Sequence, residues 1–175
     1  SRVTPGESAG PVIDPVVDLV ELRRHTGTRR AVAGRFVVDA AVVGDREVVG
    51  GAVEIDLVVE AVTEGVCVTG DVRFAGRGPC RRCLRPVDVD VEIAVQEIFE
   101  LDPTEGETWP IDDERIDLAP MVREAALLSL PLAPLCADDC AGPEPERFPT
   151  RAPDGDEAEP PRDERWAALD ELEFD

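Results

Sequence analysis

Four cysteines carry the spacing best suited to chemistry. Cys80 and Cys83 form a Cys-x-x-Cys within Gly78-Pro79-Cys80-Arg81-Arg82-Cys83-Leu84-Arg85-Pro86, and Cys136 and Cys140 flank Ala137-Asp138-Asp139. A Cys-x-x-Cys on a tight turn points both sulfurs to one side, which is half of a tetrahedral zinc site, a zinc knuckle. Thiolates are the ligands, and Arg81, Arg82 and Arg85 favour the charged form, since a nearby cation lowers a thiol pKa. The second pair also has an allowed spacing. The two pairs are expected to close one four-thiolate site that contributes on the order of 10–16 kcal/mol to folding when zinc is bound. Two other outcomes use the same residues: buried, reduced thiols without a metal, and a redox disulfide between Cys80 and Cys83. The redox motif normally opens a helix within a βαβ pattern, whereas this pair joins two strand-like runs. Cys67, the fifth cysteine, has no close cysteine in sequence and reads as an ordinary thiol on the polar side of its strand.

The second chemistry on offer is anion contact. Arg73, Arg77, Arg81, Arg82 and Arg85 gather around the knuckle. Of these, Arg77, Arg81, Arg82 and Arg85 are the candidate RNA-phosphate contacts, with charge balance beside the thiolates as the plainer alternative. Arg23, Arg24, His25, Arg29, Arg30 and Arg35 form another basic group, either a phosphate contact or a solvated surface. Aromatic residues that would stack on bases are nearly absent. Catalysis has little behind it. There is no phosphate-cradling glycine loop, and the single histidine, His25, sits among arginines as a surface residue rather than a base. The carboxylates fall mostly on wet strand faces or in loops. A non-enzymatic protein without a small-molecule substrate is the expectation.

The elements that must position the cysteines are mostly strands. Val53, Ile55, Leu57 and Val59 alternate with Glu54, Asp56, Val58 and Glu60, and Val66, Val68, Val72 and Phe74 alternate with Cys67, Thr69, Asp71 and Arg73 across a turn at Glu64-Gly65. This period of two predicts a β-hairpin. Val87, Val89, Val91, Ile93 and Val95 predict another long strand, and Phe36–Val43 a weaker one, broken off by Gly44-Asp45. Residues 15–24 read as a short helix or strand, with helix preferred. Residues 102–116, acidic and holding Pro103 and Pro110, read as a loop. Asp117 is placed as an N-cap for a helix over about 118–130, with Leu118, Met121, Val122, Ala125 and Leu128 at helical spacing and Pro131 ending it.

The fold class expected is therefore α+β: an antiparallel β-sheet or small barrel with one covering helix, followed by a disordered acidic C-terminal tail. The core domain would span residues 12–141. Residues 142–163, rich in Pro, Glu and Asp, read as a disordered linker. Residues 164–174, with Trp166, Leu169 and Leu172, read as a short amphipathic helix that either folds back or docks on a partner.

The net charge is −21 and every basic residue is arginine. Acidity this strong excludes a binder that uses its whole surface against nucleic acid, and points to a local RNA contact or a basic protein partner. No apolar run is long enough to span a membrane. The first residues, Ser1-Arg2-Val3-Thr4-Pro5, form no apolar signal segment, so the expected location is cytoplasmic.

The order of these pieces resembles one family. The knuckle segment 78–86 leads into a Val-rich strand ending Gln96-Glu97-Ile98-Phe99. An acidic loop, Ile116-Asp117-Leu118-Ala119-Pro120 and a helix with Arg123-Glu124 follow. Next comes Leu130-Pro131-Leu132-Ala133-Pro134-Leu135-Cys136, and the chain closes on Arg162-Asp163-Glu164-Arg165-Trp166-Ala167-Ala168-Leu169. This is similar to the YceD-like family, the large ribosomal RNA subunit accumulation proteins, over roughly residues 12–140 and the last dozen. The arginine-only, Ala- and Val-rich composition resembles an actinobacterial member. The resemblance implies a non-enzymatic role in accumulation of 23S rRNA and assembly of the ribosome, with the pre-ribosomal large subunit, its rRNA or a basic ribosomal protein as partner. The family's first cysteine pair matches Cys80 and Cys83, and its second matches Cys136 and Cys140. Many relatives continue with a Gly-Leu-Cys-Pro-x-x-Cys-Gly-like segment. This chain has Ala141-Gly142-Pro143-Glu144-Pro145-Glu146 instead, which leaves a minimal set of four sulfurs. The competing function is a thiol-disulfide or metal-handling protein built on Cys80 and Cys83.

Overall fold

The structure is a computed structural model and describes residues 10–144 and 146–147. Among the described residues, eight strands and one α-helix follow in chain order: β1 (Val16–Asp18), β2 (Arg29–Val37), β3 (Val42–Val43), β4 (Arg46–Val62), β5 (Gly65–Pro79), β6 (Pro86–Glu100), β7 (Trp109–Pro110), β8 (Arg115–Asp117) and α1 (Leu118–Leu128), with a 3₁₀ turn at Leu22–Arg24. The main sheet runs β2-β4-β5-β6-β7, with β3 beside β4, and β1 and β8 form a separate antiparallel pair. Its two ends, β2 and β7, do not meet, so of the two expected architectures the chain adopts the open sheet. It is antiparallel throughout except at the parallel contact of β6 with β7.

The period-two pattern does what a half-buried strand requires. Val53, Ile55, Leu57 and Val59 of β4 and Val66, Val68 and Val72 of β5 are all buried on one face. Each such side chain contributes about 1.5–3 kcal/mol relative to exposure. Helix α1 covers this face with Leu118, Met121, Val122 and Ala126. The Asp117 side chain caps it, accepting a hydrogen bond from the Ala119 amide at 2.9 Å.

The opposite face is polar and ordered by charge. Register places Arg35, Glu54, Arg73 and Glu92 side by side across four strands, and Glu47, Arg77 and Asp88 across three. Arg73 contacts Glu92 at 2.9 Å, and Arg77 contacts Asp88 at 2.6 Å and Glu47 at 3.2 Å.

Strand β4 is longer than its alternating core because it bends. Its register with β5 shifts between Val48 and Val53, where Gly50 and Gly51 take φ of +62° and +64°. A Cβ on Gly51 would stand 2.5 Å from the Val38 carbonyl oxygen. Only glycine fits such a bulge.

Four expectations need correction. The strand expected over residues 36–43 is β2, which begins at Arg29 and ends at Val37 before a turn with Ala40 at φ +48°. Arginines and alanines on its exposed face masked the alternation. The loop expected over residues 102–116 contains β7 and most of β8, strands too short to show a period. The preferred helix over residues 15–24 is a strand followed by a single 3₁₀ turn. The expected helix over 118–130 ends at Leu128. Most of the expected linker, residues 142–163, and all of the expected helix, residues 164–174, lie outside the described residues.

Candidate metal centre

The knuckle sits where β5 turns into β6. Pro79 pairs with Pro86, and the six residues between them close a tight turn in which the Cys80 amide donates to the Arg85 carbonyl (2.8 Å) and the Leu84 amide to the Cys80 carbonyl (2.9 Å). Leu84 takes φ +61°, the left-handed conformation that such a turn needs.

The second pair is delivered by the extended run after α1. Leu130 and Pro131 lie over Gly76 of β5, where an added Cβ would stand 3.0 Å from Pro131 Cδ and 3.2 Å from Leu130 Cδ2. Pro134 lies over Gly78, and its carbonyl accepts the Arg81 amide at 2.9 Å. The absence of a side chain at Gly76 thus makes room for the run that carries Cys136 and Cys140 to the knuckle.

All four sulfurs lie within 4.8 Å of one another. Cys80 Sγ is 3.9 Å from Cys140 Sγ, and Cys83 Sγ is 3.6 Å from Cys136 Sγ. A tetrahedron with zinc–sulfur bonds of about 2.3 Å has edges of about 3.8 Å, so the donor set fits a zinc ion. All four cysteines are free thiols; Cys80, Cys83 and Cys140 are buried and Cys136 is exposed. Apart from Val87 and Leu135, little apolar surface packs here.

Electrostatics separates the four. The Cys80 thiol is lowered to about 5, first by the Cys83 amide and then by the Cys136 and Arg82 amides, all directed at its sulfur. Cys83 is lowered mainly by Arg85, whose Nε stands 3.4 Å from its sulfur. Cys136 is pushed up to about 12, chiefly by Cys140 and Cys83 beside it. Cys80 and Cys83 are thus biased toward the thiolate, whereas the neighbouring Cys140 and Cys83 bias Cys136 toward the thiol. A bound dication reverses that last effect, and lets every sulfur ionise.

Three of the four arginines expected to contact RNA have local side-chain partners. Arg77 lies on the polar sheet face between Asp88 and Glu47. Arg82 Nη1 donates to the Cys140 carbonyl (2.9 Å) and the Asp138 carbonyl (3.2 Å), and Arg85 reaches Cys83 and Cys136. Arg82 and Arg85 therefore tie the two cysteine loops together, roles that the sequence indicated only as charge balance. Arg81 is exposed. The second basic group is also engaged: Arg23 pairs with Glu114, Arg24 with Glu21 and Arg29 with Glu60. Cys67 stands apart from the cluster, its thiol pushed up by burial and by Glu60. His25 is exposed.

Comparison with known proteins places the chain in a family. Uncharacterized proteins of Mycobacterium tuberculosis and Mycobacterium bovis are 38% identical over 130 residues, covering 70% of this chain and 63% of theirs. One from Mycobacterium leprae is 32% identical over 142 residues, covering 75% of this chain and 65% of its own length. The chain thus spans a little under two thirds of the curated relatives it matches. No solved structure matches it. The family model described as large ribosomal RNA subunit accumulation protein YceD matches residues 68–173, a span that takes in both cysteine pairs, and the chain belongs to that family.

Proposed function

We propose that this chain is a non-enzymatic factor in accumulation of the large-subunit ribosomal RNA, acting in the cytoplasm by binding a component of the assembling large subunit. Membership of the family carries this reading. The cysteine site supports the non-catalytic part. Four thiolates complete a tetrahedral shell, and a shell with no open position is structural rather than catalytic. Cys80, Cys83, Cys136 and Cys140 would hold zinc, which when bound cross-links the β5–β6 turn to the chain that follows α1.

Of the two partner classes, a basic ribosomal protein has more support than rRNA. Arg77, Arg82 and Arg85 are engaged within the chain, and the whole chain is strongly acidic. Acidic surface repels phosphate and steers cationic proteins toward it. The thiol-disulfide alternative has less support, because the short sulfur–sulfur contacts run between the two pairs, Cys80 to Cys140 and Cys83 to Cys136. Sucrose-gradient sedimentation of cell extract tests the role. The protein is expected in large-subunit precursor fractions, and its depletion is expected to lower 23S rRNA relative to 16S. A protein confined to the soluble top fractions at every salt concentration, with 23S rRNA unchanged on depletion, contradicts it.

A further inference from the structure

The two long edges of the main sheet are finished differently. At β2 the incoming chain lies alongside: the Ile13 amide donates to the Arg35 carbonyl (3.0 Å) and the Arg35 amide to the Pro11 carbonyl (2.8 Å). Strand β6 pairs with β5 along its whole length, but on its outer side only Phe99 and Glu100 have strand partners, Trp109 and Pro110. Residues 86–98 are therefore an open strand edge among the described residues. Unpaired edges of this length are templates for another strand unless something blunts them.

Charge determines which strand it would take. The row Arg35–Glu54–Arg73–Glu92 alternates in sign across the sheet and ends on a carboxylate at β6. The row Glu47–Arg77–Asp88 ends the same way. Between them Asp90 lies opposite Ala75 and has no ion pair among the described residues. Asp88, Asp90 and Glu92 are all exposed. A second copy adding the same edge would set carboxylate against carboxylate, which is destabilising. The next member of each row is a cation.

We infer that the β6 edge is a strand-addition site for an extended, cationic protein segment with Lys or Arg at alternate positions, set against Asp88, Asp90 and Glu92. Backbone hydrogen bonds would supply affinity, and the three carboxylates register and specificity. The inference deepens the assembly-factor reading and rests on it for the partner's source, a basic protein of the large subunit.

The test is hydrogen–deuterium exchange of the full chain with a synthetic peptide that alternates Lys with Thr and Val. A peptide of the same composition with its lysines contiguous is the control. The alternating peptide should slow exchange across residues 86–98, and the contiguous one should not. Asp90→Lys should weaken binding about fivefold, by placing cation against cation, and Asp90→Asn should weaken it less. Unchanged exchange at 86–98, equal protection by the contiguous peptide, protection elsewhere, or protection by a single-stranded rRNA fragment in place of the peptide would each overturn the inference. A chain that co-sediments with large-subunit particles yet shows no peptide protection overturns the edge and leaves the assembly role standing. Peptide protection in a chain that never leaves the top of the gradient does the reverse.

Discussion

The two ends of β5 are stabilised by different physics. At its start, Val66, Val68 and Val72 are sealed under β4 and α1, and cohesion comes from apolar burial. At its finish, Gly76 and Gly78 offer almost no apolar surface, and the chain that crosses them is anchored by four sulfurs and two arginines. The first end is insensitive to proton or metal concentration. The second would depend on both once its four sulfurs hold a metal. One strand thus joins a core held by exclusion of water to a cap held by a four-cysteine cluster and two arginines.

The largest effect should come from breaking the second end alone. Chelation, or Cys80→Ser, should abolish metal binding and remove up to about 10 kcal/mol of local stability. Hydrogen exchange should rise sharply over residues 80–85 and 130–140 and stay slow in the β4–β5 hairpin. Uniform acceleration would mean that the two ends are one cooperative unit.

Breaking the first end should do the converse. Leu57, fully buried at the centre of β4, should cost about 2–5 kcal/mol when changed to Ala, measured by urea denaturation. Metal content by mass spectrometry should stay unchanged.

A substitution on the track between the two ends sharpens the comparison. Gly76→Val puts branched carbon where Pro131 and Leu130 now touch the backbone, and should cost about 1–3 kcal/mol by overpacking. It should also speed metal loss to a competing chelator, because the displaced run carries Cys136.

The smallest effect is the pH dependence of the metal-free protein. Cys80 is lowered to about 5 from an ordinary 9.0, so its thiolate adds stability that is complete above pH 9 and is lost as pH falls toward 5. Cys136 is raised to about 12, so its contribution is complete below pH 9 and is lost as pH climbs toward 12. Thermal melts in chelator should therefore rise in midpoint from pH 5 to pH 9 and decline beyond it.

The β4–β5 hairpin was legible in the sequence because one wet face and one dry face impose a period of two on the residues themselves, as Val53 to Val59 show. The Asp117 cap and the start of α1 were legible for a similar reason, since an N-cap acts within two residues of itself. The four-sulfur cluster was legible as two spacings, although their convergence depends on Gly76, whose role lies in what crosses over it. Strand β2 was partly missed because its outer face carries Arg29, Ala31, Ala33 and Arg35, a pattern set by charge pairing with β4 rather than by burial. Strands β7 and β8 were missed because a strand of two or three residues exists only through its partner. The local engagement of Arg77, Arg82 and Arg85 was likewise invisible, since their partners lie on other strands and loops.

The central claim is that four thiolates hold one zinc ion and thereby clasp the chain after α1 to the β5–β6 turn. X-ray absorption spectroscopy of the protein purified without added metal measures this directly. The account predicts one zinc per chain with four sulfur neighbours at about 2.3 Å. A chain that binds no metal in its reduced form, or whose zinc has nitrogen or oxygen neighbours in place of any of the four sulfurs, would contradict it.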